Sequence, residues 1–201
     1  NFMDGMANGP RGAEGAANVG VIVANPKNGE ILAMATDNPY DLNNPRDLTS
    51  YYSQDEINGM DNATMLENLY GIWKNYCISD AFEPGSTVKP LTIGAALDAD
   101  VVQPSDTFVC DGYQMFGGTR IRCSIYPGAH GTETLSDLIK HSCNDGLMQI
   151  GALLGPEEFL KYQKIFNFGA TTGIDLPGEA TGILHTEESL SSGSTELASA
   201  S

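Results

Sequence analysis

Pro90 is the residue that most narrows how this chain can fold. It has no amide hydrogen, so it cannot donate to the carbonyl of Ser86 four residues earlier. No regular helix can therefore run from Phe82 through Lys89 into the apolar positions Val88, Leu91, Ile93 and Leu97. A helix over 86–97 is expected to start at or beside Ser86, with Gly85 turning the chain into it. Ser86 then stands at a helix N-terminus, where free N–H groups and the dipole favour negative charge. Lys89 follows one turn later on nearly the same face. A serine hydroxyl is a weak nucleophile until a base removes its proton, and a desolvated lysine of lowered pKa can act as that base. The same N–H groups would serve a developing oxyanion.

A second pair of polar groups lies at Ser142-Cys143-Asn144. The hydroxyl can relay a proton, and the amide can hold a carbonyl or a lysine. Asn144 also reads as an N-cap, because Leu147, Met148, Ile150, Leu153 and Leu154 follow with helical spacing up to Gly155. Taken bare, each pattern also fits a simple helix cap, and a solvated lysine fits the first.

Elsewhere the pattern is α+β. Val19–Ala24 and Glu30–Ala35 flank an Asn28-Gly29 turn and read as a β-hairpin. Both runs are almost continuously apolar, so the sheet is expected to be covered. Residues 37–60, with Asn38-Pro39 and Asn44-Pro45, read as a long loop. Met65, Leu69 and Trp73 mark one helical face. Thr107–Cys110 and Thr119–Cys123 read as strands about Gly117-Gly118, and Leu135, Leu138 and Ile139 mark a short helix. Pro156-Glu157-Glu158 opens another, ending near Phe166. The expected organisation is a lead-in segment over 1–18, the hairpin over 19–36, a mainly helical region over 62–166 and a turn-rich piece over 167–201.

Composition removes several function classes. The chain has 201 residues, 41% of them hydrophobic, and a net charge of −16, which would be repelled by nucleic acid or an anionic membrane. No apolar stretch approaches the roughly 18 residues of a membrane span. The chain opens on Asn1 and ends in the small residues Leu197–Ser201, and it reads as a segment of something longer. Cys77, Cys110, Cys123 and Cys143 form no CxxC pair, and His130, His141 and His185 show no metal spacing, so no zinc signature is present. Cys110 and Cys123 either close a hairpin disulfide or stay as buried thiols. A thiol enzyme using Cys143 and His141 is disfavoured, since adjacent residues at a helix end point apart.

With its flanks, Phe82-Glu83-Pro84-Gly85-Ser86-Thr87-Val88-Lys89 resembles the penicillin-binding proteins, the D,D-transpeptidases of bacterial wall synthesis, whose motifs are Ser-x-x-Lys, a Ser-x-Asn triplet and Lys-Thr-Gly. Tyr40–Arg46, Trp73-Lys74-Asn75, His130-Gly131-Thr132, Phe166–Gly169 and Thr172–Glu179 are similar to segments of the class B branch. The resemblance implies part of a penicillin-binding/serine β-lactamase-like transpeptidase fold, a helical subdomain plus the first hairpin of an antiparallel sheet. It implies Ser86 as acyl acceptor, Lys89 as its base, and Ser142 and Asn144 for proton relay and substrate placement, with no cofactor and no metal. The implied partners are stem peptides ending in D-Ala-D-Ala, β-lactams and other wall-synthesis proteins, at the outer face of a membrane to which the parent protein is anchored. No Lys-Thr-Gly or Lys-Ser-Gly occurs in the chain, so the expectation is a truncated site, inactive or impaired alone. A serine β-lactamase or β-lactam sensor shares the first two motifs, and a non-catalytic wall-binding module is the rival from another class.

Overall fold

The computed structural model describes residues 18–37 and 40–190. Most of the lead-in segment, the Asn38-Pro39 pair and the stretch 191–201 lie outside the described residues. The chain divides into two compact units. One runs to Ala81 and takes in Gly173–Ala180; the other comprises Phe82–Thr172 and the residues from Thr181.

In the first unit, strands β1 (Gly20–Ala24) and β2 (Ile31–Thr36) pair antiparallel, with Val21 opposite Ala35 and Ile22 opposite Met34. Local turn chemistry sets this register. Asn25 and Asn28 side chains accept from the N–H groups of Lys27 and Glu30, and Gly29 takes φ +76°. The expected cover is missing among the described residues: Val21 is 54% exposed and Leu32 60%. The short helix α3 (Tyr76–Ser79) packs on this hairpin, and it is too small to shield two apolar strands. A Cβ at Gly20 would lie 2.8 Å from Cys77 Sγ, which marks how closely they approach.

The long loop expected over 37–60 contains a helix, α1 (Gln54–Gly59), started by a reciprocal capping box between Ser53 and Glu56. Helix α2 (Asn62–Trp73) is capped by Asp61 and buries Leu69. Trp73 is fixed by an Nε1 hydrogen bond of 2.6 Å to the carbonyl of Pro45.

The second unit opens with a 3-10 turn, Gly85–Val88, followed by α4 (Lys89–Asp98). The helix expected from Ser86 thus begins as a tighter turn. Four strands follow: β3 (Thr107–Cys110), β4 (Tyr113–Phe116), β5 (Thr119–Arg122) and β6 (Gly131–Thr134). Strands β3 and β5 do not pair as their closeness in sequence implied. Strand β5 pairs with β4 across Gly117-Gly118, both at positive φ as a two-residue hairpin turn needs, and β3 pairs with the distant β6.

Helices α5 (Leu135–Lys140) and α6 (Asn144–Ile165) complete the unit. Helix α6 breaks at Gly155 (φ +75°, ψ 166°), in agreement with the stop and restart expected at Gly155-Pro156. The core joins α4, α5 and α6 to β3 through Ile93, Ala96, Phe108, Leu138, Leu147 and Ile150. Helices α5 and α6 nearly touch at Gly146, where a Cβ would lie 2.2 Å from a Leu138 methyl carbon.

Candidate active site

The 3-10 turn is built by its own residues. Gly85 takes φ +57°, Thr87 Oγ1 donates to the carbonyl of Pro84 at 2.7 Å, and the Lys89 N–H reaches back to the carbonyl of Ser86. Pro90 falls in the first turn of α4, where its missing N–H leaves no helical bond unmade. Ser86 is exposed on this turn, whereas the Lys89 side chain runs inward and is only 7% exposed.

The structure brings Lys89 together with both residues of the second motif. Its Nζ lies 2.8 Å from the Ser142 carbonyl, 3.0 Å from Ser142 Oγ and 2.5 Å from Asn144 Oδ1. Burial lowers the Lys89 pKa from the usual lysine value, which favours the neutral amine that a general base must be.

The backbone around Ser142 explains how this grip is made. Helix α5 ends in a Schellman motif: the Cys143 N–H bonds the Leu138 carbonyl at 2.9 Å and the Ser142 N–H bonds that of Ile139 at 3.1 Å. The motif requires a left-handed residue, and Ser142 supplies it with φ +51° where glycine is usual. Its carbonyl and hydroxyl both meet Lys89. Cys143, not Asn144, caps α6, its Sγ accepting from the Gly146 N–H at 3.4 Å. Asn144 becomes the first helical residue, with its amide left to donate to the Arg122 carbonyl at 3.3 Å while Oδ1 faces Lys89.

Two buried carboxylates support the site and were not singled out in the sequence. Asp145 accepts from the N–H groups of Asp111 and Gly112 at 2.9 and 3.1 Å, and from Gln114 and Gln149 at 2.7 and 2.8 Å. Its only local signal is an acidic residue in a first helical turn. Glu133 bonds His141 Nδ1 at 2.6 Å, and His141 stacks on His130. All four cysteines are thiols, so Cys110 and Cys123 are not bridged. Burial first, and then the nearby Glu133 side chain, push the Cys143 thiol up, which further disfavours it as a nucleophile.

Known proteins resemble this chain in sequence and in fold. The chain is 40% identical over 164 residues to stage V sporulation protein D of Bacillus subtilis, covering 81% of the chain and 22% of that protein. It is 30% identical over 167 residues to the peptidoglycan D,D-transpeptidase FtsI of Buchnera aphidicola, covering 83% of the chain and 25% of that protein. The chain therefore spans about a quarter of the length of these relatives. Among solved structures, the transpeptidase domain of Burkholderia pseudomallei penicillin-binding protein 3 matches with a TM-score of 0.57 at 30% identity, covering 63% of the chain and 37% of that domain's chain. The family model of the penicillin-binding protein transpeptidase domain matches residues 19–200, and the chain belongs to that family, in its class B branch.

Proposed function

We propose that this chain carries the acylating part of a peptidoglycan D,D-transpeptidase, with Ser86 as nucleophile and Lys89 as its base. The observation that supports it most is the buried Lys89 amine, drawn toward neutrality and aimed by Ser142 and Asn144. As Ser86 Oγ attacks the carbonyl of a D-Ala–D-Ala bond, neutral Lys89 takes its proton. The Ser142 hydroxyl, 3.0 Å from Nζ, passes a proton on to the departing D-alanine amine, and the acyl group stays on Ser86. An amine from a second stem peptide then attacks the ester, forming the cross-link and freeing Ser86. Asn144 positions substrate and lysine through one amide. A β-lactam follows the first half of this path: its ring amide opens on Ser86 and the leaving nitrogen remains tethered.

The substrates in this reading are stem peptides, the inhibitors are β-lactams, and the partners are other wall-synthesis proteins at the outer face of the membrane. No helix among the described residues is long and apolar enough to cross a membrane. The third family motif does not occur in these 201 residues, so efficient turnover calls for a sequence that supplies it.

Labelled penicillin tests the assignment directly. Protein carrying this sequence should form a covalent adduct that peptide mapping locates on Ser86, and Ser86→Ala should form none. An adduct on another residue, or equal labelling of Ser86→Ala, would remove the proposal. Fast turnover of a chromogenic β-lactam would replace it with a hydrolase.

A further inference from the structure

Folding gathers what the linear order scatters. Cys110 ends β3, Cys123 follows β5, His130 precedes β6, and Cys143 caps α6. One ligand atom from each of the four lies within 4.8 Å of all the others. Cys123 Sγ is 3.9 Å from Cys143 Sγ, and His130 Nδ1 is 3.5 Å from Cys110 Sγ and 3.8 Å from Cys123 Sγ.

These three separations are close to those of a coordination shell, and the other three pairs lie within 4.8 Å. Tetrahedral zinc, with bonds of about 2.3 Å to sulfur and about 2.0–2.1 Å to nitrogen, sets sulfurs about 3.8 Å apart and sulfur and nitrogen about 3.5 Å apart. Three cysteines and a histidine form a donor set of structural zinc, too soft for magnesium or calcium. All three thiols are buried, at 0%, 3% and 0% exposure for Cys110, Cys123 and Cys143.

An independent observation points the same way. Glu133 is 2% exposed, and its Oε2 is buried without a hydrogen-bond partner, 3.5 Å from His130 Nδ1. A buried carboxylate oxygen with no donor is costly unless positive charge lies close by. A divalent cation among the adjacent sulfurs supplies that charge. The other Glu133 oxygen holds His141.

We propose that Cys110, Cys123, His130 and Cys143 bind one zinc ion in a closed tetrahedral site. The ion displaces the three thiol protons, and the four protein ligands leave no position for water, so the role is structural. The ion fastens the end of β3 and the residues around β5 and β6 to the N-terminus of α6. Cys143 stands between Ser142 and Asn144, the two residues that grip Lys89, so the metal also fixes that motif in place. Only this last consequence rests on the transpeptidase reading; the metal site stands without it.

The test measures metal and needs no activity. Chain produced with zinc and purified reduced, without chelator, should hold about one zinc per molecule by mass spectrometry of the metal. Cobalt(II) in its place should show intense tetrahedral ligand-field bands in the red and thiolate-to-cobalt charge transfer in the near ultraviolet. Cys110→Ser and His130→Gln should each weaken zinc binding at least about tenfold, while Cys77→Ser, outside the cluster, should leave stoichiometry and spectrum unchanged. Should a ligand variant fail to fold, the zinc content and cobalt spectrum of the unaltered chain decide. Unaltered chain that holds no zinc after reconstitution, gives a weak octahedral cobalt spectrum, or is isolated with Cys123 and Cys143 oxidised to a disulfide would overturn the proposal.

Discussion

At the scale of single residues, Ser142 carries a conflict between backbone and side chain. Its φ of +51° costs a non-glycine residue about 1–2 kcal/mol, yet its hydroxyl meets Lys89. Ser142→Gly and Ser142→Ala both delete that hydroxyl, but only glycine relieves the backbone. We expect the glycine variant to be the more stable by about 1 kcal/mol in denaturant unfolding, with penicillin acylation reduced to the same degree in both. Equal stability would remove the strain argument. Lys89 offers a sharper test. Burial holds its pKa below the ordinary 10.5, and the active form is neutral, so acylation should rise with pH through the lowered value and level off before 10.5. Lys89→Arg, charged at every accessible pH, should be slower by about 100-fold or more. A flat pH profile would exclude lysine as the base.

Between elements, Asp145 ties the start of α6 to the β3–β4 connection through two backbone N–H groups and two glutamine amides. Asp145→Asn sets an amide N–H₂ against those donors and should cost about 2–4 kcal/mol of stability, seen as a lower unfolding midpoint in urea. No change would mean that water replaces the carboxylate. This linkage also shows where sequence reading succeeds and stops. The β1–β2 hairpin was legible because Asn25, Asn28 and Gly29 act within five residues. Helix α1 was missed although Ser53 and Glu56 form a capping box, because no apolar repeat follows them. Ser86, Lys89, Ser142 and Asn144 were legible as motifs. That Lys89 reaches 53 and 55 residues along the chain to its acceptors was not, nor was the pairing of β3 with β6. Asp145 and Glu133 bond groups whose proximity only the fold creates, and no spacing rule detects such partners.

For the whole molecule, a net charge of −16 makes self-repulsion a general term in stability. Raising salt from about 10 mM to about 150 mM shortens the Debye length from roughly 30 Å to 8 Å, so the melting temperature should rise. A fall would mean that specific ion pairs outweigh the general repulsion. The grip on Lys89 also has a consequence in time. The acceptors lie up to 55 residues downstream, so during synthesis at about 5–20 residues per second the lysine leaves the ribosome roughly 3–11 s before Asn144. Through that interval its amine stays in water as an ordinary ammonium ion, a poor proton acceptor. In this reading a nascent chain displays Ser86 well before it can be acylated, and reactivity toward penicillin becomes a clock for the completion of folding.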